Sequence, residues 1–221
     1  MSRLLDVVDL HVWYRASSGE TAVLSGVNLA LDTGEIVGIR GPSGAGKSTL
    51  GFAILNALPA NARRAGLIRF AGSAIAPVFQ EASGALHPML TAGAQVTEAL
   101  RARKPDLNRV RCRAAVEAAL DSVGLNPAEF FHAWPHELSG GQRQRVLMAQ
   151  AIAGGPDVIV ADEPVASLDS VAQRSLSRLL CELCSRARLS LVLISHSRDL
   201  LARAASRVLM MRGGVLVCDD D

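Results

Sequence analysis

Apolar and polar positions alternate along LLDVVDLHVWY (residues 4–14) and again along AVLSGVNLAL (residues 22–31), the period-two pattern of strands with one buried face. ASSGET and DTGE supply turns after them, and the short apolar run IVGI (36–39) reads as a buried strand. Residues 48–58 suit a helix closed by Pro59, GLIRF (66–70) is a further strand, and APVF (76–79) leads to Gln80. The texture then changes. Residues 82–153 carry the helical runs VTEALRAR, RVRCRAAVEAALDSVGL and QRVLMAQAIA, punctuated by Pro105, Pro127 and Pro135. Strand–helix alternation returns with DVIVAD (157–162), a helix over 170–188, SLVLISH (190–196), a helix over 197–206 and RVLMMRGGVLV (207–217). This order predicts an α/β core with a mostly parallel sheet and a helical lobe inserted into it.

Composition narrows the class without naming a function. A chain of 221 residues, 49% apolar and 20% charged, is long enough for one large domain with a well-buried core. A net charge of +2 gives no argument for nucleic acid or a membrane surface as partner. No apolar run reaches the roughly 18–20 residues that span a bilayer. MSRLLDVVDL carries Asp6 and Asp9 where a signal peptide has an uninterrupted apolar segment, so a soluble cytoplasmic protein is expected. Cys181 and Cys184 form a C-x-x-C, but no second ligand pair follows, and both lie in a helical run as small hydrophobes.

The chemistry begins at GPSGAGKST, residues 41–49. Gly41, Gly46, Lys47 and Ser48 occupy every fixed position of G-x-x-x-x-G-K-[ST], with Pro42, Ser43, Gly44, Ala45 and Thr49 completing the stretch. Glycines let backbone amides close around phosphate oxygens, Lys47 brings charge to the β and γ phosphates, and Ser48 offers a hydroxyl to Mg²⁺. The apolar strand before the loop and the helix after it give the context this motif requires. Downstream, VIVADE ends an apolar run in Asp162 and Glu163, at the strand terminus where α/β sheets place ligands. Asp162 suits Mg²⁺, and Glu163 suits polarisation of an attacking water.

Among the smaller features, Gln80, His196 and Tyr14 have two readings each. Gln80 is either a reach toward metal or water or a solvated loop amide. His196, ending LVLIS, either touches a γ-phosphate or caps a helix at the surface. Tyr14 either stacks on a flat adenine ring or packs as an edge aromatic, while Trp13 is expected in the core. SLD, Ser167 to Asp169, is an N-cap signal for the helix that follows. LSGGQRQR, residues 138–145, opens a helix with Ser139, Gly140, Gly141 and Gln142, an anion-facing start that lacks a lysine.

Taken in order, GPSGAGKST, Gln80, LSGGQ, VIVADEP, SLD and His196 resemble the ATPase subunits of ABC transporters over essentially the whole chain. The resemblance implies a P-loop NTPase core (1–81 and 154–221) with an N-terminal antiparallel β subdomain, and a helical signature subdomain over 82–153. It implies ATP and Mg²⁺ as cofactors, with Ser48, Gln80 and Asp162 at the metal and Glu163, His196 and Lys47 in catalysis. A second ATPase subunit, identical or related, would pair head to tail. Ser139, Gly140, Gly141 and Gln142 would then contact the γ-phosphate bound to the partner, with Ser167 and Asp169 lining the interface. Tyr14 would take the adenine-stacking position. Permease subunits would hold the chain at the cytoplasmic face of the cell membrane and engage Gln80 and the helical lobe.

A narrower likeness, to importers of peptides and nickel, rests on VFQEASGALHPMLTAGAQVTEAL and WPHELSGGQRQRVLMAQAIA. It implies a solute-binding protein as an indirect partner. His87, Val165 and Ser197 depart from that family's usual asparagine, threonine and aspartate. The stretch from Gly66 to Gln80 is short, and the chain stops at Asp221 without the family's extension. A soluble ABC ATPase acting on nucleic acid or ribosomes would be expected to carry tandem units, coiled-coil insertions or basic arms, and a binding module with a decayed site would be expected to lose Lys47, Asp162, Glu163 or His196.

Overall fold

In the computed structural model, which describes residues 2–17, 19–79, 85–166, 168–187 and 189–219, the chain divides into two compact units. The first comprises Met1–Pro77, Asp157–Glu163 and Cys184–Asp221, and the second Val78–Pro156 and Pro164–Leu183. Gln80 and Ser167 lie outside the described residues.

The first unit opens with β1 (Arg3–Ala16) paired antiparallel to β2 (Gly19–Asp32) and to β4 (Ala62–Phe70), giving the order β2-β1-β4. Alternation in β1 changes phase once. Leu5 and Val7 are buried, and so are Leu10 and Val12, an odd step that is absorbed by the exposed Val8 and Asp9. Asp9 adopts φ 49°, and the ladder slips there, as a bulge requires. The phase set by Val12 puts Trp13 on the outer face. The expectation of a core tryptophan is therefore corrected: Trp13 is half-exposed, stacked on His11 with centroids 5.6 Å apart and covered by the Arg63 guanidinium at 4.6 Å.

A six-stranded sheet follows, in the order β5 (Ile75–Phe79), β6 (Val158–Asp162), β7 (Ser190–Ile194), β3 (Ile36–Arg40), β8 (Arg207–Arg212) and β9 (Val215–Cys218). The β6–β7, β7–β3 and β3–β8 pairs are parallel, and the β8–β9 hairpin is antiparallel. β6 and β7 read as continuous apolar runs because both faces of a parallel sheet are covered. Helix α1 (Lys47–Ile54) packs into one core with both sheets through Leu24, Leu31, Ile39, Leu50, Val160 and Ile194. A fully buried leucine such as Leu50 contributes roughly 2 kcal/mol. α1 stops short of the expected Leu58 because Asn56 takes a left-handed φ of 53° that ends the helix. The short connection from β4 to β5 is fastened by Asp157, whose Oδ2 accepts from Ser73 N (2.6 Å), Ser73 Oγ (2.7 Å) and Ala74 N (3.1 Å).

The second unit is helical: α2 (Ala92–Arg103), α3 (Arg109–Ser122), α4 (Pro127–Phe130) and α5 (Gly140–Ala153), with the first part of α6 (Ser170–Ala187). Val96, Leu100, Val116, Leu120, Val146 and Ala149 are buried at helical spacing. The starts are capped as their sequences dictate: Thr91 Oγ1 accepts from Ala94 N, and Asn108 Oδ1 from Arg111 N. α7 (Arg198–Ala204) returns to the first unit. Among the described residues no helix is long and apolar enough to cross a membrane.

Candidate active site

β3 delivers the chain to the glycine-rich loop. Gly41 has φ 153°, and a Cβ there would stand 2.3 Å from the Met211 carbonyl oxygen, so β8 admits only glycine. Gly46 caps α1 in a left-handed conformation without any side-chain acceptor, which leaves the first-turn amides available to an anion. Lys47 is buried and folded back on the loop, its Nζ donating to Gly41 O (2.9 Å) and Pro42 O (3.0 Å). Pro42, Ser43, Gly44 and Ser48 are exposed, and Ala45 and Thr49 are buried. Half-buried Tyr14 packs against the core with its hydroxyl 3.4 Å from Thr49 Oγ1, which puts its ring beside the helix that follows the loop.

β6 ends beside β7, with Asp162 level with Ile194. Glu163 then turns into a left-handed conformation, φ 49°, which costs a non-glycine residue on the order of 1 kcal/mol. Its amide still donates to Ile194 O at 2.9 Å, so the ladder continues through the strained residue. The carboxylate is buried. Ser195 Oγ donates to Oε2 at 3.4 Å, and His196 Nε2 lies 3.4 Å from Oε1, close enough for charge attraction but without hydrogen-bond geometry. Oε1 is thus a buried acceptor with no hydrogen-bond partner among the described residues. Burial raises the Glu163 pKa and Asp162 adds to the rise, opposed by the charge and amide of His196 and by the Ser195 hydroxyl.

In the second unit, Ser139 is the N-cap of α5 in a reciprocal capping box. Ser139 Oγ accepts from Gln142 N (3.2 Å), and Gln142 Oε1 accepts from Ser139 N (2.7 Å). Gly140 and Gly141 form the first turn. Among the described residues a Cβ on Gly140 would meet only Leu168 Cδ2 and one on Gly141 only Ala172 Cβ, each at 3.5 Å, an ordinary contact. Neither glycine takes a positive φ, so among the described residues nothing within the unit demands glycine there. Asp169 caps α6, its Oδ1 accepting from Val171 N and Ala172 N at 2.9 Å, and these bonds hold its carboxyl below the ordinary value.

Two residues escaped the sequence reading. Ser195 was absorbed into the strand SLVLIS, although a hydroxyl closing an apolar run just before His196 was a usable signal. Gln144, fully buried in α5, donates to Phe79 O at 3.3 Å and so anchors the residue before Gln80; no sequence pattern marked it.

A glycine loop feeding an uncapped helix, beside strand ends that present a carboxylate and an imidazole, defines a P-loop nucleotide-binding fold. The chain belongs to the ABC transporter family, whose model matches residues 24–166. It is 35% identical to "Oligopeptide transport ATP-binding protein OppD" of Mycobacterium tuberculosis, over 98% of this chain but 38% of the relative. It is 34% identical to OppD of Bacillus subtilis, over 98% of this chain and 66% of the relative, so it spans only part of these proteins' length. "Dipeptide transport ATP-binding protein DppD" of Bacillus subtilis is 34% identical, over 97% of this chain and 69% of the relative. Among solved structures, the ATP-binding cassette MJ0796, a dimer in a post-hydrolysis state bound to ADP and Pi, superposes with a TM-score of 0.81 at 27% identity, covering 96% of each chain. CbiO1 from Clostridium perfringens, part of the transporter complex cbiONQ, gives 0.83 at 27% identity, covering 98% of this chain and 88% of that one.

Proposed function

We propose that this chain is the ATP-binding, ATP-hydrolysing subunit of an ABC transporter and that it powers import of peptides. The observation that carries the reading is Glu163: a strained, buried carboxylate at the end of β6, beside His196, with one oxygen that has no hydrogen-bond partner among the described residues, in the unit that holds the P-loop. The names of the relatives favour peptide transport over action on nucleic acid.

ATP is the substrate. Lys47 exchanges the carbonyls of Gly41 and Pro42 for phosphate oxygens, and the α1 amides close on the same groups. Oε1 of Glu163 accepts from the water that attacks the γ-phosphate in line. His196, half-exposed beside that oxygen, holds the γ-phosphate, and Tyr14 lies against adenine. The hydroxyl of Ser48 and the carboxylate of Asp162 are hard oxygen donors that suit Mg²⁺; with Gln80 they would hold the ion, which supplies charge neutralisation on the phosphates.

Pairing head to tail with a second ATPase subunit brings Ser139, Gly140, Gly141 and Gln142 to the nucleotide of the partner, with Asp169 nearby. Glycines that the unit's own packing does not require support this, since a close approach from outside is what requires them. Permease subunits anchor the pair at the cytoplasmic face of the membrane, and a solute-binding protein delivers cargo. Ser139→Arg tests the assembly. ATP binding to the monomer is expected to stay near wild type while the ATP-driven dimer and phosphate release are lost; lost monomer binding would refute the cross-subunit role.

A further inference from the structure

Ser195 sits where the ends of β3, β6 and β7 meet. Its amide donates to Ile39 O at 3.1 Å, in the strand that feeds the glycine loop. Its hydroxyl donates to Glu163 Oε2 at 3.4 Å and accepts from Ser197 N at 3.1 Å, next to His196. The side chain is fully buried, so no bulk water competes for these bonds. A serine hydroxyl has one proton. With Ser197 N filling an acceptor lobe, that proton is directed to Glu163.

The consequence is a division of labour on one carboxylate. Oε2 is held, while Oε1 is buried without a hydrogen-bond partner among the described residues and faces His196. We infer that Ser195 is a positioning residue for ATP hydrolysis: its hydroxyl fixes the Glu163 carboxylate through Oε2 and so leaves Oε1 as the acceptor for the attacking water. The amide of His196 also acts on this carboxylate. Without the Ser195 bond, however, Oε2 loses its side-chain donor, the carboxylate of a residue already in a left-handed backbone conformation gains freedom about its last torsion, and Oε1 leaves the line of attack. The inference rests on the assignment of Glu163 above.

Thr and Val have the same shape and differ only in the hydroxyl, so Ser195→Thr and Ser195→Val isolate the hydrogen bond from packing. Phosphate release, ATP affinity and Tm are measured on the full chain with whatever ATPase subunit co-purifies. Ser195→Thr should keep kcat, whereas Ser195→Val should lower it by about tenfold, with KM within about threefold, the signature of a bond used in the transition state. Ser195→Ala, which adds no volume, is the second variant and should show the same split with Tm near wild type. Equal kcat for the Thr and Val variants overturns the inference, as does a loss in both Val and Ala that matches a fall in Tm or a rise in KM. Glu163→Gln is measured alongside. If it turns over like wild type, the assignment of Glu163 fails; if it is inactive while Val equals Thr, only the role of Ser195 fails.

Discussion

His196 Nε2 lies 3.4 Å from Glu163 Oε1, joining an imidazole that is half in solvent to a carboxylate that is buried. The pair spans the ends of neighbouring parallel strands, so the sheet itself sets their separation. Glu163→Gln keeps the shape and removes the basic oxygen. Its kcat should fall by at least about a hundredfold, with ATP affinity nearly unchanged. Phosphate release paired with equilibrium nucleotide binding checks this, and near-normal turnover would remove Glu163 from the mechanism.

Gly141→Ala separates folding from function at the start of α5. The added methyl meets Ala172 Cβ at a comfortable 3.5 Å, and alanine is the better helix former by up to about 1 kcal/mol. Thermal unfolding should therefore be unchanged or slightly raised, while phosphate release drops. A Tm several degrees lower would show that the glycine serves the unit's own packing after all.

Gly41→Ala should behave in the opposite manner. Its Cβ would press on the Met211 carbonyl oxygen at 2.3 Å, in a backbone conformation that alanine resists. The loop must shift, at a cost of roughly 1–3 kcal/mol. Both Tm and ATP affinity should fall together. Retention of wild-type affinity would mean that the loop's entry tolerates displacement.

Asp157 offers a stability test far from the chemistry. Bonds from Ser73 and Ala74 lower its pKa below the ordinary 3.8, led by the Ser73 hydroxyl. A carboxylate whose pKa is depressed by folding stabilises fully above its unfolded value, and loses that contribution as pH falls through the folded one. Asp157→Ala should cost about 1–2 kcal/mol at neutral pH. The gap to wild type should close as the pH drops below 3.8. Denaturant melts at several pH values measure it, and a gap that persists in strong acid would contradict the account.

Much of this was legible because local rules and global fold agree. The α/β class followed from strand and helix periods, and the glycine loop from spacing alone. Asp169 read as a cap and is one. What escaped was set by single backbone events. Asp9 at φ 49° restarts the alternation of β1, so that Trp13 faces outward, and Asn56 ends α1 before Pro59 has any say. No periodicity encodes where a bulge falls. Ser195 was hidden for another reason: a buried hydroxyl looks like any strand residue until the carboxylate it serves, far away in sequence, is placed beside it.

Lys47, lodged against the carbonyls of Gly41 and Pro42, has a practical consequence. Apart from Lys47 the sequence contains a single lysine, Lys104, and that one is exposed. Arginine carries the remaining basic charge, so amine-selective acylation has just these side chains to choose between. Lys104 should label quickly and serve as an internal clock, while Lys47 labels slowly at a rate that reports how often the loop releases it. A mass spectrum of this protein thus contains a built-in gauge of the loop, with no probe to install.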